Sequence, residues 1–286
     1  MYKIIIQDPD TLRGGEPFSV VSHGSKIFGR IVCPAMEHEE DRSPVVVLLH
    51  GHPGGDRMMD MSLFLRENGY TAVTFSYRGV WGGKGYYRLS HNIEDTIAVV
   101  GWIRENAERL HLDAERIYLF GHSMGGFAAI NAVASGLAVK GVLLMAPCDI
   151  GYTYLYDQES FLDLMSAKEI GYFTLPPDEY DDYMEKDVAT NAESWYFPNL
   201  ISRLPAEIPY RFICGLDDAV TPPDRHVDPL YQKMIEKGFN VKRSEWKDSH
   251  MFPYTRVRVA CIVLGYLAEM EQMQFIKIPP IRTNIE

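Results

Sequence analysis

Along the chain, the rhythm of apolar and polar positions first changes near residue 45. Before it, residues 2–7, 17–22 and 26–33 alternate or cluster β-branched side chains between Gly, Pro and Asp breaks, which predicts antiparallel strands opening a sheet. From there on the strands read as short continuous apolar runs: Val45-Val-Val-Leu-Leu49, then 71–76, 116–120, 139–145 and 210–214. Such runs are expected of strands covered on both faces. Helical patterns fall between them, at about 57–68, through Ile93, Ile97, Val100, Ile103 and Leu110, and over 127–134, 227–237 and 253–272; a last strand is expected near 240–246. Strands alternating with helices predict an α/β protein with a mostly parallel central sheet, helices on both faces and a site at the carboxyl ends of the strands.

The stretch 150–206 breaks this alternation with aromatic residues set among many Asp and Glu residues. It is expected to be a helical cap inserted into one domain spanning residues 1–286. Most of its aromatics should pack the insertion onto the main body or form a dimer contact. A few should face substrate, with Tyr154, Phe173 and Trp195 as the candidates.

Chemistry concentrates at Arg116-Ile-Tyr-Leu-Phe-Gly-His-Ser-Met-Gly-Gly-Phe127, which reads as strand, sharp turn, helix. Gly121-His122-Ser123-Met124-Gly125 fits the G-x-S-x-G nucleophile elbow, in which a serine is held on a strained corner at the head of a helix. Cβ atoms beside the serine would clash in so tight a turn, which explains the glycines. The helix start adds N–H groups and a positive dipole end that favour negative charge on a substrate oxygen. Taken alone, the five residues also fit chance glycines around a helix-capping serine. A serine hydroxyl needs a base and a carboxylate at the same strand ends. Both follow later strands, in Gly215-Leu-Asp-Asp-Ala-Val-Thr-Pro-Pro223 and in Lys247-Asp-Ser-His-Met-Phe252.

Composition narrows the classes. A net charge of -11 argues against a nucleic-acid surface, and no apolar run is long enough to span a bilayer. Residues 1–10 do not carry the basic head, long apolar core and small-residue cleavage site of a signal peptide, so cytoplasmic residence is the expectation. Cys33, Cys148, Cys214 and Cys261 lack paired metal spacing and are expected to be reduced thiols. His50 and His52 form an H-x-H with no third ligand at recognisable spacing, so no metal and no cofactor is expected. Gly79-Val-Trp-Gly-Gly-Lys-Gly85 lacks the Ser or Thr and the spacing of a phosphate loop.

Together, His50-Gly-His-Pro-Gly-Gly55, the elbow and the two later loops resemble the α/β-hydrolase superfamily over nearly the whole chain, in the order Ser, Asp, His. The resemblance implies a cofactor-independent serine hydrolase of the esterase or prolyl-oligopeptidase-like branch. It implies Ser123 as nucleophile, His250 as base and Asp218 as acid, because the family's acid usually stands three positions after the glycine ending its strand. Asp217 and Asp149 remain rivals for the acid. The backbone N–H groups of Met124 and His52 are the implied oxyanion donors, since Pro53 has no N–H. Tyr77-Arg-Gly-Val-Trp81 resembles a loop that borders the pocket, which makes Trp81 a further substrate-binding candidate and Arg78 a structural ion-pair partner. His122 should support the elbow, and His23, His38, His91, His111 and His226 should face water. The expected substrate is a small ester, with a short peptide or acylated amino acid as the alternative. A catalytically inactive binding protein is the reading from another class, and the oligomeric state stays open.

Overall fold

The computed structural model describes residues 15–35, 40–54, 57–180 and 182–272; the strand expected at 2–7 and His38 lie outside them. The antiparallel opening forms as β1 (Glu16–Ser22) and β2 (Ser25–Val32), with Glu16 paired to Ile31 and Ser22 to Ser25. Thereafter β3 (Ser43–Leu49), α1 (Met59–Glu67), β4 (Thr71–Phe75), α2 (Leu89–Glu105), β5 (Leu112–His122), α3 (Met124–Ala134) and β6 (Gly141–Met145) alternate. The eight-stranded sheet has the order β1-β2-β4-β3-β5-β6-β7-β8, with β7 at Tyr210–Gly215 and β8 at Val241–Trp246. β2 pairs antiparallel with both β1 and β4, and every other pairing is parallel.

The continuous apolar runs have a direct cause. Val45, Val47 and Leu49 point into one core, with Ile117 and Leu119, while Val46 and Leu48 point into the other, with Tyr118 and Phe120. The first core is closed by α2, by α3 and by α9 (Asp228–Glu236), which follows the short α8 (Pro223–His226); the second is closed by α1 and α10 (Arg256–Met270). Burial on both sides removes the selective pressure for a polar face, so period-two alternation disappears.

Between β6 and β7 the chain runs through α4 (Ile150–Tyr156), α5 (Gln158–Ser166), two short 3-10 turns, α6 (Tyr183–Trp195) and α7 (Phe197–Leu200). Phe161, Met165, Val188, Trp195 and Phe197 of this stretch join the first core. Its 172–174 strip is bonded to the loop after β4: Trp81 N–H donates to Tyr172 O (2.9 Å), Thr174 N–H to Gly79 O (2.7 Å) and Tyr87 N–H to Thr174 O (2.8 Å). The same loop is pinned to α2 by Arg78, whose guanidinium contacts Asp95 at 2.6 Å and also Glu94, the structural role expected of it.

Two element boundaries differ from expectation. β5 begins at Leu112 rather than near 116 because its polar first turn is held by side chains, Arg116 bridging Asp113 (2.6 Å) and Glu271 (3.0 Å). The helix expected through Leu110 ends at Glu105, and 106–111 continue as turns bonded to its last carbonyls.

Candidate active site

Ser123 stands where β5 turns into α3, with φ 54° and ψ -120°, a conformation that side-chain-bearing residues adopt only when the surroundings impose it. The surroundings here are main chain. Ser123 N–H donates to Met145 O (3.0 Å), and its own carbonyl accepts from Gly126 N–H (2.9 Å) and Cys148 N–H (3.0 Å). A Cβ on Gly125 would fall 1.9 Å from Leu49 O, and one on Gly121 would fall 2.3 Å from Gly125 O. The motif glycines are thus dictated by how closely α3 is pulled against the ends of β3 and β5. Met124 is the first residue of α3, a position whose N–H has no acceptor within the helix.

His250, in the loop after β8, places Nδ1 2.8 Å from Asp218 Oδ2 and 3.1 Å from Thr221 Oγ1. A carboxylate only accepts, so Nδ1 carries a proton. Asp218 is buried and its remaining capacity is used: Val220 N–H and Thr221 N–H donate to Oδ1 (2.9 Å each), and Thr221 Oγ1 lies 2.9 Å from Oδ2. Burial would push this carboxyl up, but the hydrogen bond and charge of His250 and the donors of Thr221 outweigh it and hold the group below its ordinary value.

Ser123, Met124, His52 and His250 line one cavity of about 840 Å³ at the carboxyl ends of the strands, with Cys148, Val220 and residues of α5 completing its wall. The serine hydroxyl makes no hydrogen bond to the described residues. A profile of the alpha/beta hydrolase family matches residues 46–260, which takes in the elbow, the acid loop and the histidine loop.

The chain belongs to the α/β-hydrolase family.

Its relatives include the acylcarnitine hydrolase of Mus musculus, 30% identical over 139 residues that make up 46% of this chain and 25% of that protein. Liver carboxylesterase B-1 of Rattus norvegicus is 28% identical over 120 residues, 39% of this chain and 21% of the relative. The matches thus span about a quarter of those relatives' length. Among solved structures, the butyrate-bound Est2 esterase of Thermogutta terrifontis superposes with a TM-score of 0.70 at 15% identity, covering 91% of this chain and 96% of the other. Puromycin hydrolase gives 0.69 at 18% identity, covering 96% and 42%. At these identities the structural likeness concerns the fold.

Within this α/β-hydrolase the rival acids are placed elsewhere. Asp217 is exposed, and its N–H donates to Asp248 O (3.0 Å). Asp149 is buried at the entry of the inserted segment, accepting from Tyr152 N–H and from Phe197 N–H (2.9 Å each). Burial pushes its carboxyl up to about 8 against those backbone donors.

The aromatic candidates for substrate contact do not line the cavity. Trp81 stacks on Tyr172 (4.2 Å between ring centres), Phe173 stacks on Tyr87 (4.3 Å), Trp195 meets Phe127 edge-on (5.0 Å) and Tyr154 meets Phe161 (5.1 Å). Phe173 approaches the site only through the His52 ring, 4.9 Å away. The wall is built instead from Thr153, Leu162, Leu164, Ile170 and Val220. Phe173 and Trp195 fill the space between insertion and body because aromatic area is most stabilising when buried, whereas Trp81 stays exposed over Tyr172.

Two histidines expected in water are buried. His226 accepts the Asp149 N–H at Nδ1 (3.0 Å), and His91 lies beside Arg88 and the Tyr86 carbonyl. His122 ties the turn at Ser123 to the loop of His250: its Nε2 donates to the His250 carbonyl (3.0 Å), and burial, with the nearby His250, lowers it to about 3. Burial also lowers His52 to about 4, opposed by the Leu164 main chain and aided by His50, so both rings are neutral near pH 7.

Sequence reading missed Thr221 and Asp248. Asp248 is a buried carboxylate whose Oδ2 accepts from Tyr254 N–H, Thr255 N–H and Thr255 Oγ1, with Oδ1 taking Ser249 N–H. It closes the loop that presents His250. Its only signal is an Asp two residues before the histidine, which loop composition alone does not distinguish from a solvated acid.

Proposed function

We propose that this chain is a serine hydrolase that cleaves carboxylic esters through an acyl-enzyme on Ser123. His250 Nε2 takes the serine proton and delivers it to the leaving alcohol, and Asp218 holds the tautomer and stabilises the imidazolium. The N–H groups of Met124 and His52 receive the developing oxyanion, each donor contributing about 3 kcal/mol of barrier lowering in such sites. Water then attacks the acyl-enzyme by the same route in reverse. The observation that carries the reading is the 2.8 Å contact from Asp218 to His250 Nδ1, on a histidine that shares one cavity with a strained, unbonded serine. The esterases among the relatives and fold neighbours support the choice of ester.

The test is release of p-nitrophenol from butyrate and longer esters, run beside aminoacyl anilides and labelling by a fluorophosphonate. Ester turnover and labelling that both vanish in Ser123→Ala are expected. Turnover of anilides above esters would shift the assignment to an amide hydrolase, and an intact protein with neither labelling nor turnover would leave a binding protein on this fold.

A further inference from the structure

The ionisable side chains on the cavity wall are unevenly signed. Apart from the histidines His52 and His250 and the buried thiol of Cys148, they are Glu159 and Asp163, both exposed on α5; among the described residues no Lys or Arg lines the cavity. His52 is kept neutral by burial, so it supplies no positive charge at neutral pH. The two carboxylates stand four residues apart on one helix face, an arrangement that repels and costs helix stability. Three other acids of the inserted segment, none of them on the cavity wall, are paired: Asp157 with Arg225 (3.2 Å), Asp182 with Lys186 (2.8 Å) and Glu185 with Lys168 (3.9 Å). Glu159 and Asp163 form no ion pair among the described residues. α5 thus brings two carboxylates without an ion pair to the wall of the cavity that holds Ser123.

We infer that the Ser123 cavity selects esters bearing a cationic group, an amine or quaternary ammonium, held at its mouth by Glu159 and Asp163 on α5. The inference rests on the serine hydrolase reading and narrows its substrate class. A cleft with walls of one sign focuses its field and raises the local concentration of the opposite charge, and the same field rejects carboxylate- and phosphate-bearing esters. Because both carboxylates face water, the preference is screened by salt on the scale of the Debye length, about 10 Å at 0.1 M. The apolar part of the wall, Leu162, Leu164, Ile170 and Val220, accommodates the remainder of the molecule.

The experiment compares kcat/KM for butyrylcholine and for its neutral isostere 3,3-dimethylbutyl butyrate, at low salt and at 0.5 M NaCl. A ratio of about tenfold in favour of the cation at low salt is expected, falling at least threefold with salt. The ratio should drop toward one in the double variant Glu159→Gln, Asp163→Asn and invert in Glu159→Lys, each checked for an unchanged melting curve. Turnover of the neutral ester with a wild-type ratio of one or less overturns the inference while leaving the hydrolase reading intact. If neither ester turns over, fluorophosphonate labelling of Ser123 is timed in the presence of choline and of 3,3-dimethylbutanol. Stronger protection by choline then sustains the charge selectivity and sinks only the ester reading; equal protection sinks both.

Discussion

At the scale of single residues, two buried aspartates near the site have opposite settings. Asp218 has a cationic partner to gain and a full set of donors, so ionisation is favoured; Asp149 has backbone donors alone and burial dominates. Only Asp218 faces the imidazole. Asp218→Asn is therefore expected to lower kcat/KM for p-nitrophenyl butyrate by about a thousandfold or more, because an amide can turn its N–H₂ toward Nδ1 and force the wrong tautomer. Asp217→Asn, on an exposed side chain, should stay within about threefold, and Asp149→Asn should retain at least a hundred times the activity of Asp218→Asn. An Asp149 variant as impaired as the Asp218 variant would move the acid to the end of β6.

At the scale of elements, the inserted helices are tied down at a single carboxyl. Asp149 caps α4 through Tyr152 N–H and holds the start of α7 through Phe197 N–H, while its own N–H reaches His226 on α8. Entry and exit of the insertion are thus fastened together next to the acid loop. The folded carboxyl keeps its proton to about 8, whereas an unfolded aspartate loses it near about 3.9. The folded state binds more protons between those values, so the contribution of this group to stability is full below about pH 4 and is lost as pH rises through about 8. Melting temperatures should accordingly decline from pH 5 to pH 9 in the parent, with a shallower decline in Asp149→Asn. A parallel pair of curves would show that Asp149 is ionised in the folded protein, held by its backbone donors.

At the scale of the whole molecule, the cavity is a seam between parts distant in sequence. The elbow after β5, the loop after β3, the loops after β7 and β8 and helix α5 all reach it. Ester chain-length preference should follow that wall. Leu164→Trp or Ile170→Trp is expected to shift the optimum toward shorter acyl chains by two or more carbons, while Tyr154→Ala and Trp195→Ala should mainly lower stability, by about 3–5 kcal/mol for a fully buried Trp. Unchanged chain-length profiles in both tryptophan variants, with the fold intact, would place the acyl group elsewhere.

What the sequence by itself determined are the features enforced locally. The apolar runs of β3 to β7 reveal two-sided burial, the glycines around Ser123 reveal a backbone approach that no Cβ survives, and a carboxylate and a histidine after later strands fall at the strand ends. Each of these is a constraint on a few neighbouring residues, so composition and spacing carry it. Tertiary structure alone decided which aspartate meets His250, since Asp149, Asp217 and Asp218 all follow strands and differ only in what lies opposite. It also decided that Thr221 and Asp248 brace the loops carrying Asp218 and His250 and that Tyr154, Phe173 and Trp195 fill packing space while leucines and carboxylates of α5 line the cavity that holds Ser123. Those outcomes depend on how the insertion docks across the sheet. A hydrophobic side chain looks the same in sequence whether it is buried under a helix or lines a cavity between two elements, because burial is set by the partner surface.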